Sequence, residues 1–220
     1  MQYDSQFIAK AKDSILHPGQ STQPLPKLQD HTPPVLFIFR HCQSKDNARH
    51  RFSGRRQTSL TPTGLNQAKQ LGQKMQNLPI DLFISPPLKR CQQTIAQVRH
   101  YHPDAPLKTY PQLMERDYGD LSGKSKLKMM QLYPEKTLLW RRSWDVRPPH
   151  GESLQDVWEK RLKHFLTQEL IPLMQRQHLN VAWCATNNTM RLVRMYFENL
   201  SIKQTLLLEN PYADWAEYKL

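Results

Sequence analysis

The stretch VLFIFRHCQSKDN (residues 35–47) decides the fold. Its first five residues, 35–39, are all apolar, which is typical of a strand enclosed on both faces of a parallel sheet. The strand runs directly into Arg40, His41 and Cys42, a cation, an imidazole and a thiol. Because α/β proteins place ligand sites at the carboxyl ends of parallel strands, the segment is a candidate site. A nucleophile with an arginine partner and an accidental loop composition both remain open at this point.

Composition limits the class of protein and of partner. A chain of 220 residues suits one domain with a sizeable core. The net charge of +12 favours anionic partners, such as phosphorylated metabolites, nucleic acid or acidic lipid, without choosing among them. The three cysteines, Cys42, Cys91 and Cys184, are widely spaced and odd in number. That pattern indicates free thiols in a reducing compartment and lacks the paired spacings of a zinc site.

No apolar run approaches the length needed to cross a bilayer, and residues 1–34 lack a hydrophobic signal core. We therefore expect a cytoplasmic protein without a membrane partner. Export by a specialised secretion system remains open.

Strand and helix patterns alternate along the chain. Strands are predicted at residues 35–39, 80–85, 107–111, 180–186 and 213–220, and helices at 61–76, 86–101, 153–177 and 187–200. This alternation predicts an α/β fold, a three-layer α/β/α sandwich with a mostly parallel central sheet. Residues 1–34 form a Pro-containing N-terminal extension with a short helix near 7–16, and residues 35–220 form the domain. The long region 113–152 looks irregular and is expected to cover or line the site.

Five segments in order resemble those of a known family. They are RHCQSKDNARHRFSG (40–54), ISPPLKRCQQT (84–94), LMERDYGDLSGKSK (113–126), WRRSWDVRPP (140–149) and GESLQDVWEKR (151–161). Together they resemble the histidine phosphatase (phosphoglycerate mutase) superfamily, and most of all its cofactor-dependent phosphoglycerate mutase branch. The resemblance runs from residue 35 to residue 220 and implies a phosphoglycerate mutase-like fold.

The resemblance also implies roles for individual residues. His41 matches the nucleophile that becomes phosphorylated, Arg40 and Arg90 match the pair that clamps the phosphoryl group, and Glu115 matches the general acid. Neutral imidazole can accept a phosphoryl group without a metal, and arginine meets phosphoryl oxygens bidentately. The other matching positions are expected to contact the phosphoryl group or a second anionic group: Asn47, Ser53, Gly54, Tyr118, Lys126, Arg141 and Arg142. For the last two, a plain basic face beside Trp140 and Trp144 is the alternative.

The sequence departs from the family at two places. Cys42 stands where the family has glycine, and is either a tolerated small side chain that narrows the pocket or a reactive thiolate. Thr186 occupies the position of the second catalytic histidine, and Asn187 that of the following glycine. Thr186 and Asn187 both stay candidates for contact with phosphate. Thr carries no charge, so losing this donor is expected to cost about a hundredfold in rate. His150 is the nearest candidate for a substitute imidazole.

Three functions follow from the resemblance. The first is a metal-independent phosphatase of weakened activity, without a cofactor, acting on a small phosphorylated metabolite through phosphohistidine at His41. RPPHGES (147–153) joins two family elements without the longer insertion of full mutases, and an open site admits water. The second is a phosphoglycerate mutase (an isomerase), whose cofactor would be 2,3-bisphosphoglycerate, and the third a non-catalytic phosphate-binding pseudoenzyme. No aromatic-basic motif indicates nucleic acid as a partner, and a homodimer remains open.

Overall fold

A five-stranded sheet forms the centre of the computed structural model, which describes residues 4–21 and 24–220. In chain order the strands are β1 (Val35–Arg40), β2 (Leu82–Ser85), β3 (Leu107–Thr109), β4 (Val181–Ala185) and β5 (Trp215–Lys219). Their order across the sheet is β3-β2-β4-β1-β5. Only β5 runs antiparallel, along the edge beside β1. The predicted α/β architecture with a mostly parallel sheet is confirmed.

Both faces of β1 are buried, which explains its uninterrupted apolar sequence. Leu36 and Ile38 point into one hydrophobic core, and Val35, Phe37 and Phe39 point into a second core on the other face. Successive side chains of a strand alternate between the two faces of a sheet, so a strand covered on both sides must be apolar throughout.

Ten α-helices can be named among the described residues. They are α1 (Ser5–Leu16), α2 (Lys45–Ala48), α3 (Pro62–Met75), α4 (Lys89–Arg99), α5 (Lys126–Leu132), α6 (Pro134–Arg142), α7 (Leu154–Val157), α8 (Ile171–Gln177), α9 (Asn187–Phe197) and α10 (Ile202–Leu207). Two π-helical segments, Trp158–Leu162 and Phe165–Leu170, lie between α7 and α8. The long helix predicted over 153–177 is therefore present as one helical run. No helix in the described part of the chain is long and apolar enough to cross a bilayer.

The expectation of an irregular region over 113–152 is wrong in part, because α5 and α6 lie within it. Ser125 caps the first turn of α5, and Pro134 opens α6. The buried face of α6 includes Arg141 and Arg142 as well as Leu138. A helix whose inward face is partly charged lacks the apolar periodicity on which sequence prediction depends.

The short helix expected in the N-terminal extension is α1, and it packs on the domain. Phe7, Ala11 and Ile15 are its buried residues, and the first two belong to the same core as Leu36 and Ile38. α1 lies against α6 and α10. This position brings the C-terminal half of α1 to the edge of the predicted site.

Candidate active site

A cavity of about 70 Å³ lies at the carboxyl end of β1. A single water needs roughly 10–15 Å³, so the space suits a group of several atoms. Every site residue predicted from the sequence lines this cavity except Thr186. Six cations face it, against the carboxyl groups of Glu115 and Glu209; the cations are Arg40, Arg90, Lys126, Arg141, Arg142 and Arg191. The lining is built for an anion.

His41 is held by backbone and side-chain contacts that fix its tautomer. Its backbone N–H donates to the Ala185 carbonyl of β4 over 3.0 Å, which extends the sheet by one residue. Ring Nδ1 lies 2.8 Å from the carbonyl oxygen of Cys42, and Arg90 Nε lies 3.0 Å from ring Nε2. A carbonyl can only accept and a guanidinium can only donate. The proton is therefore on Nδ1, and the lone pair of Nε2 faces Arg90.

The surroundings of His41 keep the ring neutral. Burial, followed by the nearby charges of Arg90 and Arg40, lowers the pKa of His41 well below its usual value. The hydrogen bond to the Cys42 carbonyl acts in the opposite direction without reversing the shift. A neutral imidazole has a free lone pair, which is the form that attacks an electrophile.

Arg90 and Arg40 are fixed at the sides of the nucleophile. Besides its contact with His41, Arg90 donates to the carbonyls of Arg56 and Gly54 over 2.9 and 2.8 Å. Arg40 donates to the Asn210 carbonyl over 3.1 Å, and its guanidinium carbon lies 4.6 Å from the ring centre of Tyr212. These contacts hold both cations in place before any ligand arrives.

Arg40 Nε and Ser53 Oγ are buried donors of the cavity that find no hydrogen-bond partner within residues 4–21 and 24–220. Buried polar atoms in native proteins are almost always paired, with protein, water or a ligand. Since both residues line the cavity, these atoms mark where the oxygens of an anion would be received.

Glu115 lines the same cavity and is buried. Its carboxylate accepts from the backbone N–H of Arg116 over 2.7 Å and, at a longer 3.5 Å, from that of Asn188. The Asn188 side chain donates to the Tyr118 hydroxyl over 3.2 Å, which ties the acid loop to the start of α9. Glu115 is thus held in place in the cavity that His41 also lines.

Arg141 and Arg142 are not a plain basic face, and that alternative is wrong. They are 7% and 3% exposed, and both donate to α1. Arg141 reaches the Ala11 carbonyl over 2.8 Å and Ser14 Oγ over 3.1 Å, and Arg142 reaches Ser14 Oγ over 2.5 Å. The closeness of these cations disfavours their charged forms. Burial, followed by the nearby charge of Arg142, lowers the pKa of Arg141 to about 9.

Lys126 shares this cationic wall of the cavity. Burial, reinforced by the charges of Arg141 and Arg40, lowers the pKa of Lys126 to about 7. The ammonium lies 5.9 Å from the ring centre of Phe52. A bound anion would relieve the repulsion among these cations.

Five further residues of the cavity were not predicted from the sequence: Ser14, Pro18, Asn188, Arg191 and Glu209. Glu209 accepts from Arg191 over 2.8 Å and also from Arg142, so it balances two buried cations. Burial opposes its ionisation, but those arginines outweigh it and lower the pKa of Glu209 to about 2. Asn188 and Arg191 sit in the family segment that carries Thr186, where a closer comparison of positions could have found them. Ser14 and Glu209 lie outside the family segments, and no signal marks them.

The two departures from the family have clear structural consequences. Thr186 is fully buried and outside the cavity lining, and its hydroxyl donates to Thr189 Oγ1 over 2.9 Å. Thr186 is therefore the one predicted site residue that does not line the cavity. Cys42 packs with Leu60 and Ala68, and burial raises the pKa of its thiol to about 11, which contradicts the reactive thiolate.

His150 does not supply a substitute imidazole. Its side chain is 85% exposed and pairs with Asp120 on the surface. Asn187 and Asn188, at the start of α9, line the cavity beside the position of Thr186. Among the residues that the structure describes, His41 is the one histidine lining the cavity.

Comparison with known proteins agrees with this geometry. Residues 36–220 match the histidine phosphatase superfamily (branch 1). The chain is 36% identical over 180 residues to a 2,3-bisphosphoglycerate-dependent phosphoglycerate mutase of Nitrobacter winogradskyi, covering 80% of this chain and 86% of that protein. The chain therefore belongs to the histidine phosphatase superfamily.

Solved structures show the same fold. The alpha-ribazole phosphatase of Shigella flexneri superposes with a TM-score of 0.72 at 23% identity, covering 84% of this chain and 89% of that one. A mycobacterial glucosyl-3-phosphoglycerate phosphatase superposes with a TM-score of 0.74 at 22% identity, covering 83% and 90%.

Proposed function

We propose that the protein is a phosphatase that hydrolyses a small phosphorylated substrate through a phosphohistidine at His41, with activity weakened by the loss of the second histidine. The observation that carries this proposal is the state of the His41 ring. Its Nδ1–H donates to the Cys42 carbonyl over 2.8 Å, and its unprotonated Nε2 lies 3.0 Å from Arg90 Nε. A neutral imidazole beside a phosphoryl-binding cation is what nucleophilic attack on phosphorus requires.

The reaction divides into two steps. In the first, His41 Nε2 bonds to phosphorus, the bond from phosphorus to the alcohol oxygen breaks, and Glu115 gives that oxygen a proton. In the second, water bonds to phosphorus, Glu115 takes its proton, and the bond to Nε2 breaks, which releases phosphate and neutral His41. Arg40, Arg90 and Ser53 meet the charge on the phosphoryl oxygens throughout.

Hydrolysis and mutase activity differ in what accepts the phosphoryl group. The connection from α6 to α7 spans only residues 143–153, which supports a site open to water. The sequence relatives named as mutases favour the other outcome, return of the phosphoryl group to a phosphoglycerate. We rank hydrolysis first because a short connection leaves little to exclude water from the phosphohistidine.

The test is hydrolysis of p-nitrophenyl phosphate by the wild type and by His41→Ala. We expect a rate that His41→Ala abolishes, whereas His150→Ala, at an exposed histidine, keeps the wild-type rate. Transfer of label from 2,3-bisphosphoglycerate to phosphoglycerate, faster than phosphate release, would instead identify a mutase.

The non-catalytic alternative rests on Thr186, which is outside the cavity lining and whose hydroxyl donates to Thr189. It predicts that wild type and His41→Ala share the same background rate while both still bind vanadate. That outcome would overturn the catalytic proposal and leave a phosphate-binding protein.

A further inference from the structure

We propose that a second cavity beside the active site binds the leaving group of the substrate, and that this group is uncharged and rich in hydroxyls, such as a sugar or a polyol. This inference rests on the proposed function, because it assumes that a phosphoryl ester binds with its phosphorus beside His41. Its structural basis is independent of the catalytic residues.

The second cavity lies between α1, α10 and the end of α9, and has a volume of about 280 Å³. That is close to the lower end of the range of ordinary ligand pockets, about 300 Å³. From α1 it takes Lys10, Asp13 and Ser14, and from α10 it takes Gln204 and Leu207. The helix of the N-terminal extension therefore forms one complete wall.

Ser14 and Glu209 line both cavities, so the two spaces meet at these side chains. Arg142 joins them, since its Nη2 donates to Ser14 Oγ over 2.5 Å and also to Glu209. In the proposed binding mode, the ester bond of the ligand lies at this bridge, with the phosphoryl group in the first cavity and the alcohol part in the second. The second cavity is thus placed for the alcohol part of the ester.

The carboxylates of the second cavity already have partners within the protein. Both oxygens of Glu198 are taken by Arg194, over 2.7 and 3.1 Å, and one of them also accepts from Tyr218 over 2.6 Å. Asp13 pairs with His17 over 2.9 Å. Paired carboxylates no longer attract a cation, so a charged amine is not the preferred occupant.

A second anionic group is also a poor occupant. Lys10 is the one cation among the described residues that line the second cavity, whereas six line the first. An acidic group on the substrate would therefore stay with Lys126, Arg141 and Arg142.

A neutral polar group fits what remains of the lining. Gln20 offers an amide group, which donates to and accepts from hydroxyls. Gln204 offers its amide N–H groups as donors, because its oxygen already accepts from Ser201 at the start of α10. Leu200, Leu207 and Leu208 form an apolar side, against which the C–H faces of a polyol or sugar can pack. Mixed apolar and amide lining is typical of sites for small uncharged ligands.

The test compares two phosphate esters, sorbitol 6-phosphate and methyl phosphate, which differ in the group that would enter the second cavity. Dissociation constants are measured by calorimetry in a His41→Ala background, so that binding is read without turnover. We expect sorbitol 6-phosphate to bind about tenfold tighter than methyl phosphate, a difference of about 1.4 kcal/mol.

The variant that fills the cavity is Lys10→Trp, and its matched control is Lys12→Trp, an exposed lysine on the same helix outside the cavity lining. Lys10→Trp should remove the preference for sorbitol 6-phosphate and leave methyl phosphate unchanged, while Lys12→Trp keeps the preference. Asp13→Trp is the second filling variant if Lys10→Trp does not fold.

Four outcomes separate the hypotheses. Equal binding of the two esters by the His41→Ala protein, or a preference that survives both filling variants in that background, overturns the second cavity as a subsite. Loss of the preference in Lys10→Gln, which removes only the charge, shows that the lysine charge rather than the shape of the cavity recognises the ligand, and also overturns it. Absence of hydrolysis in the otherwise wild-type protein with the binding preference intact rejects the phosphatase and keeps the subsite.

Discussion

Arg90 and His41 are in direct contact, since Arg90 Nε donates a hydrogen bond to His41 Nε2 over 3.0 Å. An imidazole nitrogen cannot accept this bond and attack phosphorus with the same lone pair. The hydrogen bond from Arg90 Nε to His41 Nε2 must therefore break when His41 attacks a phosphoryl group. The other two nitrogens of Arg90 donate to the carbonyls of Gly54 and Arg56. Arg90 thus fixes, together with the Cys42 carbonyl, the tautomer of His41, and in the proposed mechanism it also binds the phosphoryl group.

Arg90→Lys should lower kcat/KM for an aryl phosphate by about a hundredfold. A lysine keeps the charge but cannot hold the His41 ring and two carbonyls at once. Arg99→Lys, on the same helix α4, is the control and should match the wild type. If both variants are as active as each other, the positive charge at position 90 is enough for activity, and the planar guanidinium group is not required.

Thr186→His should raise the phosphatase rate, by up to about a hundredfold, because it restores a charged donor where the threonine hydroxyl is bonded to Thr189. Thr186→Val is the control, and its rate should stay near that of the wild type. Both rates are measured as kcat, with thermal unfolding to verify folding at this fully buried position. A folded histidine variant without a gain in rate would show that this donor does not limit catalysis.

The strands that carry the site could be predicted because their residues are apolar on both faces. The run 35–39 and the segment 180–186 each lie in the sheet, and β1 and β4 pair in parallel beside His41. In these strands the sequence pattern predicts apolar residues in a sheet, and their burial on both faces also requires apolar residues. Prediction from sequence succeeds where the local preference and the environment in the fold agree.

Helix α6 shows why the remainder was harder to predict. It buries Arg141 and Arg142 because distant residues, Ser14 on α1 and Glu209 after α10, supply their partners. Neither partner is close in sequence to the arginines. Whether a charged side chain is exposed or buried depends on such partners, which periodicity does not reveal.

Glu209→Gln should destabilise the protein at pH 7 by about 3 kcal/mol, because it leaves Arg142 and Arg191 buried without a counter-charge. The pKa of Glu209 is lowered to about 2 from the usual 4.5. Its contribution is therefore complete above pH 4.5 and is lost as the pH falls through about 2.

Urea unfolding of both proteins at pH 7 and at pH 3 measures this effect. The difference between wild type and Glu209→Gln should be smaller at pH 3. Asp120→Asn, an exposed carboxylate paired with His150, is the control and should change stability little. A Glu209→Gln protein as stable as the wild type would mean that the arginines find other partners.

Lys126→Met should make the folded protein more stable and weaken anion binding. Burial, with Arg141 and Arg40 nearby, lowers the pKa of Lys126 from 10.5 to about 7. A lysine whose pKa is lower in the folded than in the unfolded protein reduces the free energy of unfolding. This reduction is complete below the folded pKa, and part of it disappears as the pH rises toward 10.5. The gain in stability from Lys126→Met is therefore larger at pH 6 than at pH 9.

Sulfate, whose charge does not change between pH 6 and 9, is the probe for binding. A bound anion favours the protonated amine, so sulfate affinity in the wild type should be highest below pH 7 and should fall above it, by up to about tenfold per pH unit. Lys126→Met should bind sulfate weakly, with little dependence on pH, and Lys128→Met, an exposed neighbour on α5, should behave as the wild type does. A sulfate affinity that does not change from pH 6 to 9 in the wild type would contradict this prediction. It would show that Lys126 does not titrate in this pH range as part of the anion site.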